Sequence, residues 1–435
     1  MKNIICTFML VLALCTVSFA KESNGEFTYI RAGKMIDVEA GVALSDQLII
    51  IKDDLIVSVE PWGDTSRTFH GAFHDWSDYT VMPGMIDGHT HLIGYIQSND
   101  VLAPVKVSRA DDIRMGEVNA LKTLMAGFTS VIDVGAYREF TDIELRDAIN
   151  AGKVQGPRMW GAGAYITIPG GGGEVVGLGP DGKVPDVVTA DFRAGVAKGP
   201  KQVREKVRYL VKGGADLIKM IATGAVLTIG TEPGEPEFNE AEIRAAVEEA
   251  GRYGKYVTAH AHGAEGIKMA VRAGVRSIQH GSIADDEALQ MMKDAGTWLV
   301  ADIYNGDYIN EVGTRDGWPA ETMRKNRETT ETQRVAFRKA VALGVNIAFG
   351  TDAGVYPHGD NAKQMAYMVK YGMTPMQAIQ AATIRGAESM SLQTEIGSIS
   401  TRKFADIIAV KGDVLADITL LEHVDFVMKG GKVVK

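Results

Sequence analysis

PGMIDGHTHL, residues 83–92 of this chain, is an apolar run that carries His89 and His91 two positions apart. Side chains two apart on an extended segment point to the same side, so the spacing aims two imidazoles at one point. That pair is weak evidence alone, because a buried histidine is more often simply hydrogen-bonded. Its meaning depends on what recurs around it. Segments 81–86, 129–134, 158–166, 217–221, 256–260, 276–280, 298–303 and 346–350 read as short strands, with helical patterns between them. In one such helix Asn239 and Glu242 make a capping box, and Gly254 lies beyond the end. Ile243, Ala246, Val247 and Ala250 form its core-facing stripe. Eight strands alternating with helices predict an α/β fold, a (β/α)8 TIM barrel. A doubly wound open sheet is the competing architecture, but no Gly-rich dinucleotide turn follows its first strand.

In a barrel, chemistry gathers at the C-terminal ends of the strands. Strand four carries Lys219 within DLIKMIA, strand five ends in His260, strand six in His280, and strand eight runs into Asp352. Each residue has a bland reading: a satisfied histidine, a snorkelling lysine, a turn aspartate. All six positions together, counting His89 and His91, form a coherent ligand set of nitrogen and oxygen donors. Such donors suit zinc. Burial between Ile218 and Met220 disfavours the ammonium form of Lys219, and a neutral amine can add carbon dioxide.

Outside the barrel, alternating segments at both ends, 27–32 and 48–56, then 406–410 and 424–434, predict a small β-sandwich domain. The expected organisation is therefore 1–20 as an export signal, 21–81 with 398–435 as the composite β domain, and 82–397 as the catalytic barrel. The signal reading rests on Lys2, an apolar run from 4 to 17, and small residues Ser18 and Ala20 before a cleavage point. It predicts a periplasmic or secreted protein without stable membrane association once the signal is removed. The only cysteines, Cys6 and Cys15, fall inside that segment. A mature chain would then have no thiol for a disulfide, a nucleophile or a metal. Composition is ordinary for a globular chain of 435 residues, and the formal net charge of −9 argues against a nucleic-acid partner.

At this point the chain resembles the metal-dependent amidohydrolase superfamily. PGMIDGHTHL, the lysine of DLIKM, AHAHG, SIQHGS and FGTDAG carry the likeness. GMTPMQAIQAAT, IGSIS, ADIIAV and VMKGGKVV extend it to the C-terminus. The nearest branch holds imidazolonepropionase-like enzymes, Xaa-Pro dipeptidases and related carboxypeptidases, including ochratoxin-hydrolysing amidases. The resemblance implies two divalent ions, usually Zn2+, with His89 and His91 on one and His260 and His280 on the other. Lys219, carboxylated by carbon dioxide, would bridge them, and Asp352 would ligate one metal and shuttle the proton. Without the carbamate, the site would hold one metal. A homo-oligomer is expected, its order left open.

The substrate expected is a small amide or dipeptide, cut at the bond to a C-terminal L-amino acid by metal-activated hydroxide. Hydrolysis of cyclic amides is the alternative, and a non-enzymatic binding protein on the same scaffold is a third reading. His262, two residues past His260, is the candidate contact for the substrate carboxylate. Tyr165 and Tyr304 are expected to form an apolar wall, with His358 at the rim. The loop YITIPGGGGEVVGLGPDGK, with glycines at 170–173, reads as a mobile flap or as a disordered surface loop. It lacks the Gly-Lys-Ser/Thr of a phosphate loop. Resembling dipeptidases often place a histidine where this chain has Gly172, so Pro specificity does not carry over. His70, His74 and His423 are expected to be solvated.

Overall fold

The computed structural model describes residues 26–63, 68–94, 100, 102–175 and 186–435. The expected export segment, with Cys6 and Cys15, lies outside the described residues.

Four long strands open the chain: β1 (Phe27–Asp37), β2 (Val42–Lys52), β3 (Leu55–Pro61) and β4 (Ala72–Pro83). The barrel strands follow as β5 (Met85–Thr90), β6 (Phe128–Asp133), β7 (Arg158–Gly161) and β8 (Ile218–Ile221). Then come β9 (Val257–Gly263), β10 (Ser277–Ile283), β11 (Trp298–Ala301) and β12 (Ile347–Phe349). The chain ends with β13 (Ile407–Lys411), β14 (Phe426–Lys429) and β15 (Lys432–Val433).

Strands from both termini share one sheet, in the order β15-β14-β13-β4-β1-β2-β3. β4 is the seam, parallel to β1 and antiparallel to β13, with Val81 opposite Ala409. The sequence suggested a sandwich; among the described residues the hydrogen bonds make one seven-stranded sheet. Its inner residues, including Ile30, Ile49, Trp76 and Ile407, form their own buried cluster.

The eight central strands pair only in parallel, as β5-β6-β7 and β8-β9-β10-β11-β12. Single parallel bridges, Thr90 to Ala353 and Ile166 to Met220, span the two gaps between these sheets. This is a TIM-barrel-type α/β domain whose ladder is not continuous all the way round. Parallel strands buried on both faces read as unbroken apolar runs, which is why β6, β8 and β9 are fully buried along their length. Gly84 lies between β4 and β5 and packs against Thr129, which a Cβ there would approach to 2.2 Å. The first barrel strand therefore begins at Met85, and the expected 81–86 strand splits between two sheets. The helix Glu240–Gly251 has both reciprocal bonds of its capping box, Glu242 N–H to Asn239 and Asn239 N–H to Glu242.

Candidate metal centre

The C-terminal ends of the barrel strands converge on one cavity of about 100 Å3. His89, His91, Lys219, His260, His262, His280 and Asp352 all line it. Two donor groups are compact: His260, His262 and His280 in one, and His89, His280 and Asp352 in the other, each with ligand atoms within 4.8 Å of one another. His89 Nε2 and His91 Nε2 approach the same oxygen, Asp352 Oδ1, at 3.3 and 3.2 Å. The backbone is left-handed at both His280 (φ 71°) and Asp352 (φ 56°). Non-glycine residues held there store strain, and such strain clusters at functional sites.

Most of these imidazoles have one nitrogen fixed by protein. His91 Nδ1–H is shared between the Gly135 carbonyl at 2.9 Å and the Tyr165 hydroxyl at 3.1 Å. His260 Nε2–H donates to the Gly224 carbonyl at 3.2 Å, and His280 Nδ1–H to Asp302 at 3.0 Å. His262 Nδ1 pairs with the Ser282 hydroxyl at 2.8 Å. At His91, His260 and His280 the partner is an acceptor, which sets the tautomer and bares the other nitrogen, the pattern of metal-binding histidines; the Ser282 hydroxyl can donate to His262 Nδ1, leaving Nε2–H there as a donor. His89 differs: its Nδ1 is buried without a partner.

The electrostatics favour the neutral, ligating form at His89, His260 and His262; at His91 burial also disfavours the cation, but Asp352 outweighs it and holds the imidazole above its usual range. Burial pushes His89 and His262 down to about 3, and holds His260 well below the usual imidazole range. Burial also pushes Asp352 upward, but His89 and His91 outweigh it and keep the carboxyl well below the usual range. Lys219 is 2% exposed, and desolvation lowers its ammonium to about 7, partly offset by Asp352 and Asp302.

A divalent cation fits this donor set. His89 Nε2, His91 Nε2 and Asp352 Oδ1 already meet within 3.3 Å, and the buried His89 Nδ1 without a partner marks a donor set that protein hydrogen bonds leave incomplete. A divalent cation would take the place of the proton that His91 shares with Asp352. Nitrogen and carboxylate oxygen are the donors that zinc accepts, and the cavity leaves room for water.

Several residues that the motifs did not announce complete the site. Asp302 accepts from His280, from Gln333 at 2.8 Å and from Asn305 at 3.0 Å. The same Asn305 Nδ2 donates to Asp352 Oδ2 at 3.1 Å, tying the two carboxylates together. Asp87, inside the opening motif, accepts from the backbone N–H of His89 and Thr351, the Thr351 hydroxyl and Asn361. Asp302 comes directly after β11, so its position at a strand end was the available signal. Asn305 and Gln333 carry no such mark.

Three sequence expectations change. His358 is buried, not at the rim; its Nε2–H donates to the His91 carbonyl at 2.9 Å and its Nδ1 accepts from Thr123. Tyr304 is not among the cavity's lining residues; it packs edge-on against Tyr356 and Tyr367. Tyr165 does line the cavity, but as a hydrogen-bonding partner of His91 more than as an apolar wall. Of the histidines outside the barrel, His70 and His423 are exposed and His74 is half-buried.

Residues 80–434 match the amidohydrolase family, most of the chain. The chain is a member of the amidohydrolase family. It is 31% identical to ochratoxinase from Aspergillus niger, over 96% of this chain and 88% of that protein. Among solved structures it is similar to a Xaa-Pro dipeptidase with bound methionine in the active site. There the TM-score is 0.88 at 39% identity, covering 94% of this chain and all of the other. The A. niger ochratoxinase structure superposes with a TM-score of 0.82 at 29% identity, covering 94% and 96% of the two chains. This amidohydrolase is accordingly a hydrolase of amide bonds, in a family that generally uses divalent metals.

Proposed function

We propose that this amidohydrolase cleaves the amide bond to a C-terminal L-amino acid in an N-acyl amino acid or dipeptide. The observation that carries the reading is the convergence of five imidazoles, Lys219 and Asp352 on one cavity at the strand ends. A dipeptidase of the same fold that holds methionine in its active site supports an amino acid as the leaving group.

His89, His91, His260, His280 and Asp352 would hold two divalent ions, zinc by donor type, with carboxylated Lys219 between them. Bound there, the ions would activate water at neutral pH and polarise the amide carbonyl. The remaining steps belong to the chain. Asp352 Oδ2, held by Asn305 on the side away from the imidazoles, takes the proton of the attacking water. As the C–N bond breaks, the same oxygen returns that proton to the departing nitrogen, a transfer worth about 10²–10⁴-fold. Taking His260 and His280 as ligands leaves His262 for the free carboxylate of the leaving group. Export, with cleavage after Ala20, is part of the same proposal, and N-terminal sequencing of the natural protein tests it.

The decisive experiment offers zinc-loaded protein, prepared with bicarbonate, a library of N-acyl amino acids, dipeptides and cyclic amides. Release of a free α-amino acid supports the assignment. Ring-opening of cyclic amides with every linear amide left intact would replace it with the cyclic-amide activity.

A further inference from the structure

A second cavity, of about 480 Å3, adjoins the loop that walls the metal centre. Ile168 and Pro169 line it, while Gly172 and Gly173 of the same loop line the catalytic cavity. The run of glycines at 170–173 suggests mobility, yet this partition is pinned. Gly171 N–H donates to the Ile168 carbonyl at 2.9 Å, and Gly173 N–H to the Thr167 hydroxyl at 3.2 Å. Gly172 N–H reaches both oxygens of Glu237, at 2.7 and 3.0 Å, and its carbonyl accepts from the Thr228 hydroxyl at 2.7 Å. Glu237 belongs to the lining of the second cavity, so one side chain connects that cavity to the catalytic wall.

The polar groups of the second cavity fall into two sets. Asn239 and Glu242 are spent on each other in the capping box, and Glu242 also accepts the Gly199 N–H at 2.7 Å. Glu237 and Lys198 are not spent. Both carboxylate oxygens of Glu237 share one N–H donor, and neither Glu237 nor the exposed Lys198 has an ion-pair partner among the described residues. Burial pushes Glu237 up to about 8 against the Gly172 N–H, and Glu174 adds to the rise, as befits a carboxyl that no cation compensates. Ile168, Pro169, Pro236, Phe238 and Met269 supply an apolar remainder. One free anion, one free cation and an apolar surface are the complement of a zwitterion with an apolar side chain.

We propose that this cavity is an effector site for a free apolar α-amino acid, its ammonium on Glu237 and its carboxylate on Lys198, separate from the metal centre. An ammonium held there keeps Glu237 ionised, and an ionised acceptor grips the Gly172 N–H more tightly than a neutral one. Occupancy of the second cavity is thereby felt one peptide group away, on the wall of the first. On the function proposed above, such an amino acid is the released product, and the site senses its accumulation. That last step alone rests on the proposed function; the binding site rests on the lining.

The test uses zinc-loaded protein carrying 13C-methyl methionine, with L-leucine as the probe. The Met269 methyl, identified by its loss in Met269→Leu, reports this cavity. Its signal should shift saturably with leucine below about 10 mM. L-leucinamide, without the carboxylate, and 4-methylpentanoate, without the ammonium, should each bind at least about 10-fold more weakly, since each leaves one charge of the cavity unanswered. Lys198→Ala and Glu237→Gln should weaken leucine to a similar degree. Lys198 is exposed, so its variant gives the answer even should the Glu237 variant not fold. Hydrogen–deuterium exchange at 170–174 should slow when leucine is added to wild type, and not at the same concentration in Lys198→Ala. A Met269 signal that leucine does not move, or that all three compounds move equally, overturns the site. Bound leucine with unchanged exchange overturns its coupling to the wall. None of these readouts needs turnover, so failure of the proposed hydrolysis, seen as linear amides left intact, is a separate result.

Discussion

Replacing Asp302 with alanine should weaken metal binding without touching a metal ligand. Its carboxylate takes three hydrogen bonds, but the losses are unequal. Gln333 keeps a 3.3 Å bond to the His280 carbonyl, and Asn305 keeps Asp352. His280 Nδ1 alone loses its acceptor, at a site where the side chains of His280 and Asp302 are 6% and 8% exposed. A buried hydrogen bond to a charged group contributes about 1.5–3 kcal/mol. Loss of an outer-ring partner typically costs a metal site about 10–100-fold in affinity, the same range in free energy. Asp302→Ala should therefore bind zinc about 10–100-fold more weakly. Asp302→Asn should fare better: its oxygen can still accept from His280 and Gln333, while its amide meets Asn305 donor against donor. Competition with a chromophoric chelator at neutral pH measures both variants. Zinc affinity of Asp302→Ala within about twofold of wild type would refute the claim that this carboxylate orients His280.

Lys219 gives a pH-dependent test. With its ammonium lowered to about 7 by burial, the neutral amine dominates above that pH. Carbon dioxide adds only to the neutral amine, so zinc loading of metal-free protein in bicarbonate should rise across about pH 6 to 8, and Lys219→Ala should reduce the rise to the part that deprotonation of His91 contributes. Short carboxylic acids should restore part of the activity of Lys219→Ala; a loading profile flat in pH and the same in both proteins counts against the carbamate. Asp352→Asn should bind substrate but lose at least about 100-fold in kcat, since an amide cannot shuttle the proton. Near-normal turnover would move the base elsewhere. Gly350→Ala would set a methyl 2.2 Å from Val300 and 3.0 Å from the His89 side chain. Overpacking of this kind destabilises by about 1–3 kcal/mol, and thermal unfolding should show a lowered midpoint alongside reduced zinc content.

The alternation of strand and helix, the capping box at Asn239 and the placement of His89, His91, Lys219, His260 and His280 were all legible from residue order. Parallel strands buried on both faces must be short apolar runs, and the ionisable residues that interrupt them gather at one mouth of the barrel. Local periodicity therefore determined which side chains share a mouth. It could not determine partners, because a hydrogen bond depends on where a distant segment comes to rest. His358 looks like a loop histidine until its imidazole is seen on the carbonyl of His91, 267 positions away. Asn305 is one polar residue among many until its amide is found between two carboxylates. Gly171 and Gly173 show the limit most clearly: their composition suggests freedom, while a Cβ on either would lie 2.5 Å from Glu237 or 2.7 Å from Ile221, neighbours brought in by the fold. Residue order thus determined the barrel and the donors it gathers. The direction in which each donor faces, and the wall a substrate meets, came from long-range packing, where geometry in three dimensions decides which polar group is satisfied and which is left free to act.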